Sequence, residues 1–263
     1  MASAPPEPIT PEPPPLPGRA VVEQSWVDLA FLHWPYRPAE VQRLLPTGLA
    51  VDVHEGAAWV SLVPFEMHRL RPVGVPPVPG LDRFVEINVR TYVVDTDGHR
   101  AVWFFSLDVP EPAMVALARL SFGARYCLSR AVHATIDIGG KRRHGYAMRR
   151  IWPGPAGARA SIEIEVGAPI PSADIDPLTL FLTARWAAIT RWSGVLLRSP
   201  VDHGPWPVHD ATCIRLEQDV VQAAGLPRPR GEPLVHFSPI VDARFARPAR
   251  VAAGAPRTRP ARG

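Results

Sequence analysis

Polar and apolar residues alternate with a period close to two over much of the chain, and this pattern predicts a fold built mainly of strands. Around Trp26, Leu29 and Phe31 it predicts a strand over residues 24–34. Pro38 then suits the first turn of a short helix whose apolar face is Val41, Leu44 and Leu45, ended by Pro46. Extended segments follow at 49–54 and 57–67, joined through Glu55-Gly56. The strongest hairpin signal is at 84–109, where two β-branched and aromatic runs flank Asp97-Gly98, a dipeptide that tolerates the positive φ of a two-residue turn. A helix is expected over 111–122 with Gly123 as its left-handed cap. Strands are expected at 131–138 and 161–166 with a Gly139-Gly140 turn, helices at 177–190 and 217–224, and a last strand at 234–243.

No βαβ rhythm and no internal repeat is visible, which disfavours a doubly wound parallel sheet. The expected fold is mainly β (α+β), a curved antiparallel barrel with a few flanking helices.

The hairpin carries the first chemical suggestion. A two-residue turn at Asp97-Gly98 sets Tyr92 opposite Trp103, Arg90 opposite Phe105 and Asn88 opposite Leu107. Glu86, Asn88 and Arg90 would then share a face with Trp103 and Phe105, while Ile87, Val89, Val93, Val102 and Phe104 cover the other. Charged groups enclosed on both sides either form a satisfied structural pair or line a ligand pocket. Both readings are open at this point, and a three-residue turn would exchange the faces.

Composition trims the possibilities. Of 263 residues, 46% are hydrophobic, ample for one domain, and the 33 prolines are unevenly spread, with a dense run from Pro5 to Pro17 and a thinner scatter after Arg247. This divides the chain into a proline-rich tail (1–19), a folded domain (20–246) and an arginine-rich tail (247–263), both tails expected to be disordered. The tail arginines Arg247, Arg250, Arg257, Arg259 and Arg262 account for the basic balance, because removing those five charges takes the rest from +4 to −1. Nucleic-acid binding by the folded domain is therefore not expected. Two cysteines, Cys127 and Cys213, form no disulfide framework, and no apolar run suggests a signal peptide or a membrane helix, so a cytoplasmic protein is expected.

Several stretches are familiar together: Phe31-Leu32-His33-Trp34-Pro35, Leu44-Leu45-Pro46, Trp59-Val60-Ser61-Leu62-Val63-Pro64-Phe65, Glu86-Ile87-Asn88-Val89-Arg90-Thr91-Tyr92 and Trp103-Phe104-Phe105-Ser106-Leu107-Asp108. So are Phe181-Leu182-Thr183, His203-Gly204-Pro205-Trp206-Pro207 and His236-Phe237-Ser238-Pro239. From residue 21 to 245 the chain resembles the YqjF-like family of bacterial proteins of unknown function, a branch of the acetoacetate-decarboxylase-like superfamily. The resemblance implies a cone-like β-barrel with a small-molecule pocket inside it. It also implies that Glu86 matches the superfamily's active-site glutamate. The two lysines of the decarboxylase pattern, of which one forms an imine with a keto acid, fall here on Arg125 and Tyr126, and neither can supply a neutral amine. The pocket arginine falls on Pro35, with Arg37 two residues away. Lys141, the sole lysine, reads as a solvated hairpin charge.

Glu86, Arg125 and Tyr126 are thus the candidate catalytic residues, and Arg90, Asn88, Trp103, Phe105 and Arg37 the candidate ligand-binding residues. No Walker loop, dinucleotide glycine motif or nucleophile triad is present, and no cofactor is expected. Asp202, His203, His209, Asp210 and Cys213 lack metal-site spacing and read as a loop over the barrel mouth, so no metal is expected. The expected partner is a small molecule, a carboxylate for example, with a homo-oligomer allowed and no membrane partner. Three functions remain: a non-imine enzyme acting on an oxo acid or enolate-forming ligand, a non-catalytic binder or sensor using the same pocket, and an interaction protein acting through its basic tail.

Overall fold

The computed structural model describes residues 4–78 and 80–252. Strand β1 (Ala20–Tyr36) and helix α1 (Pro38–Gln42) open the fold, followed by short β2 (Leu49–Val51) and β3 (Val53–His54) and long β4 (Ala57–Pro72), β5 (Arg83–Asp95) and β6 (Arg100–Val109). After α2 (Pro112–Phe122) come β7 (Tyr126–Ile138), β8 (Lys141–Trp152) and β9 (Arg159–Pro169). The rest comprises α3 (Pro177–Thr183), β10 (Ala187–Trp192), β11 (Val195–His203), β12 (His209–Gln218), α4 (Val220–Ala223), β13 (Leu234–Ala246) and β14 (Ala249–Arg250).

Hydrogen-bonded neighbours run β1–β4–β5–β6–β7–β8–β9–β12–β13 and back to β1, closing a nine-stranded barrel that is antiparallel except where β6 meets β7. Five of these strands, β13, β1, β4, β5 and β6, are closed a second time by the β10–β11 hairpin, which bridges β6 to β13 and completes a seven-stranded ring. The two routes leave from opposite corners of the shared sheet. On β6, β10 attaches near the start at Val102 and Trp103, whereas β7 attaches at the end, from Leu107 to Val109. On β13, β12 attaches near the start at His236 and Phe237, whereas β11 attaches at the end, from Ala243 to Phe245. A twisted sheet lifts its two diagonals towards opposite faces, so each route encloses a different face.

One face is dry. Leu32, Trp34, Leu62, Ile87, Val89, Trp103 and Phe105 pack with Met148, Ile162, Ile164 and Phe237 in a single apolar core that draws on strands all round the nine-stranded barrel. The other face, inside the seven-stranded ring, carries Leu29, Phe31, Val63, Phe65 and Phe84 against Val115 of α2, and Tyr92 and Val102 against Phe181 and Leu182 of α3. Most of the buried polar groups discussed below lie on this second face.

The hairpin differs from the expected register in an instructive way. The loop has three residues, Thr96 to Gly98, closed by Asp95 N–H donating to the His99 carbonyl at 3.0 Å, with the Asp95 carboxylate accepting from the backbone N–H groups of Asp97 and His99. Gly98 takes φ 89° there. Near the turn this shifts pairing by one, so that Arg90 lies opposite Phe104 and Thr91 opposite Trp103. Phe105 is then an extra, bulged residue, and it restores the expected pairing of Asn88 with Leu107.

Other expectations are corrected by tertiary pairing. The helix expected over 177–190 stops at Thr183, because the next residues are drawn into β10 against β6 and β11. The helix expected over 217–224 is only Val220–Ala223, since Glu217 and Gln218 pair with Ser161 and Ala160 of β9. The run from Asp202 to Cys213 is not one loop: it contains the end of β11, a bend at 204–208 and the start of β12. Helix α2 and its Gly123 cap, at φ 63°, agree with expectation, and a Cβ at Gly123 would collide with the Arg191 carbonyl.

The proline-rich N-terminal stretch, expected to be free, is tied to the barrel. Glu7 N–H donates to the Gly98 carbonyl at 2.8 Å, Arg100 donates to both the carboxylate and the carbonyl of Glu7, and Trp186 Nε1 donates to the Thr10 carbonyl. Ile9 packs on the Tyr92 and Phe181 cluster. At the other end β14 pairs with β11, while residues 253–263 of the expected basic tail lie outside the described residues.

Candidate functional site

The second face is organised by strand pairing. Across β1, β4 and β5, His33 stands opposite Ser61 and Ser61 opposite Arg90, while Phe65 pairs with Glu86, Val63 with Asn88 and Phe31 with His236. Side chains two apart on one strand share a face, so Glu86, Asn88, Arg90 and Tyr92 form one column and Phe31 and His33 another. The bend at 204–208 covers them with Trp206, whose ring lies edge-on to Phe31 and whose Nε1 donates to the Thr183 carbonyl at 3.1 Å.

Among the described residues Glu86 is buried without a cation partner. Its carboxyl accepts from Asn88 Nδ2 and from the Tyr126 hydroxyl, both at 3.1 Å. Burial pushes its pKa up to about 7, against the pull of those two hydrogen bonds. Burial also raises the Tyr126 hydroxyl well above its usual range, with the Glu86 charge adding to it. Glu86 therefore takes up and releases a proton near neutrality, while Tyr126 stays protonated and donates to it.

Arg90 makes no ion pair among the described residues. Its guanidinium lies 5.3 Å from the Phe31 ring centroid and 5.8 Å from that of Tyr92, and its Nε is buried without a hydrogen-bond acceptor. Arg185, by contrast, is committed to Asp52 at 2.9 Å and stacks on Tyr92 and Phe181. Asn88 Oδ1, His33 Nε2, His236 Nδ1 and Ser238 Oγ are likewise buried without partners.

The structure brings Glu86, Asn88, Arg90 and Tyr126 of the sequence-derived site onto one face and separates the other four residues from them. Arg125 and Tyr126 are consecutive at the start of an extended segment and project oppositely: Tyr126 reaches Glu86, whereas the Arg125 guanidinium lies 5.4 Å from the Trp103 ring centroid. Trp103 and Phe105 belong to the dry core, the consequence of the three-residue loop and the bulge. Arg37 is on the surface at the start of α1, paired with Glu40 at 2.7 Å. His33, Ser61, His236 and Trp206 had no assigned role. Their signal was a polar residue interrupting an otherwise apolar column, as His33 does two positions after Phe31.

A second polar cluster lies elsewhere. Asp28, His133 and His144 each bring one ligand-type atom within 4.8 Å of the others. His133 Nε2 and His144 Nδ1 are 3.0 Å apart, with ring planes 5° apart and centroids separated by 5.3 Å. That separation is what two imidazoles reach when an N–H points straight along the other's lone pair, so these rings share a proton rather than converge on a cation. His133 Nδ1 is held by Glu66 at 2.8 Å, and burial lowers the His144 pKa to about 4.

The fold, one sheet closed into a barrel with few helices, is acetoacetate-decarboxylase-like. In overall fold the chain is similar to an acetoacetate decarboxylase-like enzyme from Sphingomonas wittichii RW1, with a TM-score of 0.63 and 12% identity over 89% of this chain and 94% of that one. It is also similar to the enduracididine biosynthesis enzyme MppR complexed with pyruvate (TM-score 0.60, 14% identity, 91% of each chain) and to acetoacetate decarboxylase from Legionella pneumophila (0.57, 13%, 87% of each). At these identities the likeness is one of fold. The chain belongs to the DUF2071 family, described as "Uncharacterized conserved protein (COG2071)", whose pattern matches residues 23–242. A curated relative, "Uncharacterized protein YqjF" of Bacillus subtilis (strain 168), is 31% identical over 229 residues, 86% of this chain and 90% of that protein. Among the described residues no helix is long and apolar enough to cross a membrane.

Proposed function

We propose that this protein binds a small organic acid inside the seven-stranded ring, with Arg90 holding the carboxylate and the Glu86–Tyr126 pair exchanging a proton with the bound molecule. The observation that carries this reading is Arg90: a guanidinium between aromatic rings, with no carboxylate of its own and a buried Nε left free. A cation placed this way is stabilised by an anion arriving from solvent. Asn88 lies between it and Glu86 on the same column and would orient the ligand. A carboxyl with a pKa of about 7 suits enolisation or hydration of an oxo acid, chemistry that needs no imine. The one lysine, Lys141, is largely exposed and ion-paired with Glu165. MppR, whose fold is similar, is complexed with pyruvate, which supports a small acid as the probe to try first.

The test is a thermal-shift and calorimetric titration with acetoacetate and butyrate. Saturable stabilisation that Arg90→Gln abolishes is the expected result, and an unchanged response in that variant would refute the anchor. Product formation followed by NMR separates an enzyme from a plain binder, because only the proton-transfer role predicts turnover that Glu86→Gln removes.

A further inference from the structure

The hydrogen-bond directions around His33 and His236 carry a further statement about the ligand. Tyr92 donates its single hydroxyl hydrogen to the Leu182 carbonyl at 2.8 Å. Ser61 Oγ, 2.8 Å from the same hydroxyl, must therefore donate to Tyr92, which leaves Ser61 as acceptor for His33 Nδ1 at 2.7 Å. His33 is thus the Nδ1–H tautomer and its Nε2 is a bare lone pair, buried and without a partner. A second chain has the same outcome. Thr179 donates to Asp176 Oδ2 at 2.5 Å, so its oxygen accepts from His236 Nε2 at 3.4 Å, and His236 Nδ1 is left bare and buried. Both rings lie on the second face, with centroids 6.2 Å apart, and His33 lies across Ser61 from Arg90. Asn88 Oδ1 is a third free acceptor.

We infer that the ligand is an organic acid that also carries a hydroxyl or an N–H group, such as a hydroxy acid or the enol of an oxo acid, and that His33 Nε2 and His236 Nδ1 accept its hydrogens. This rests on Arg90 as the carboxylate anchor. The site then presents one cationic donor and several neutral acceptors. An acid whose other end offers only a carbonyl or a methyl group leaves those acceptors desolvated and unpaired, the kind of mismatch that polar sites reject most strongly.

The experiment compares 3-hydroxybutyrate, acetoacetate and butyrate, three acids of similar size, on the full chain. The hydroxy acid is expected to bind about tenfold or more tighter than the other two, and His33→Phe and His236→Phe are each expected to reduce that margin. Long-range proton–nitrogen NMR of the histidine rings in the unsubstituted protein is expected to show His33 protonated at Nδ1 and His236 at Nε2, with the bare nitrogens shifting on addition of 3-hydroxybutyrate. Equal binding of the three acids, lost in Arg90→Gln, overturns this inference and leaves the anchor standing. No binding of any acid removes both. The opposite tautomers, or stoichiometric Zn²⁺ uptake lost in both histidine variants, also overturns it.

Discussion

Replacing Glu86 by Gln tests the buried carboxyl directly, because the structure predicts an effect whose sign depends on pH. In the folded protein the Glu86 pKa lies at about 7 and in the unfolded chain near 4.5, so the native state binds the extra proton between these values. The stability Glu86 contributes is complete below about pH 4.5 and falls as pH rises through 7. A displacement from 4.5 to about 7 corresponds to a loss of about 3 kcal/mol once both states are ionised, at about 1.4 kcal/mol per pH unit. Glutamine does not titrate. It can still accept from Asn88 Nδ2, and its amide can donate to Tyr126, whose hydroxyl turns to accept, so at pH 5 the substitution is expected to shift stability by no more than about 1 kcal/mol. At pH 8.5 the variant should be more stable than the parent by about 2 to 3 kcal/mol, on the order of 5 to 10 °C in melting temperature for a domain of this size. Urea unfolding of both proteins at pH 5, 7 and 8.5, compared as differences so that the other titrating groups cancel, reads this out. Identical pH dependence of parent and variant would refute the buried, unpaired carboxyl. Uniform destabilisation by about 3 to 5 kcal/mol would instead mark Glu86 as half of a structural ion pair.

A pair that does have that character is Asp108–Arg150, which is bidentate, at 2.8 and 2.6 Å, and buried. Asp108→Asn is expected to cost about 3 to 5 kcal/mol in chemical denaturation, and a loss under 1 kcal/mol would contradict the pairing. Removing residues 1–10 should lower stability by about 2 kcal/mol through the lost Glu7, Thr10 and Ile9 contacts, and an unchanged melting temperature would show that the segment does not dock. Incubation with acetoacetate and borohydride should leave the protein's mass unchanged, since the sole lysine is exposed and ion-paired with Glu165; a trapped adduct on Lys141 would restore imine chemistry.

Much of the architecture was legible along the chain, because period-two alternation, Gly139-Gly140, Gly123 and the absence of a βαβ rhythm are local features with local causes. The strand class, the helix before Gly123 and the columns of alternating residues in β1 and β5 follow from them. The resemblance, which sets Arg125 and Tyr126 where the decarboxylase pattern has lysines, likewise argued against an imine, since neither offers a neutral amine. What the sequence could not decide was which residues meet. One residue more in the Asp95–His99 loop moved Trp103 and Phe105 to the dry core, and a bulge at Phe105 returned Asn88 to its expected partner. The sequence reads 184–190 as the end of a helix, whereas from Ala187 onward the chain pairs with β11 and, at Ala188 and Ile189, with β6. The pairing of Tyr126 with Glu86, the freedom of Arg90 and the bare nitrogens of His33 and His236 all depend on strands far apart in sequence being curled around one sheet. Local propensity sets how each segment runs, but facing partners and unpaired groups are properties of closure, and closure exists only in the folded chain.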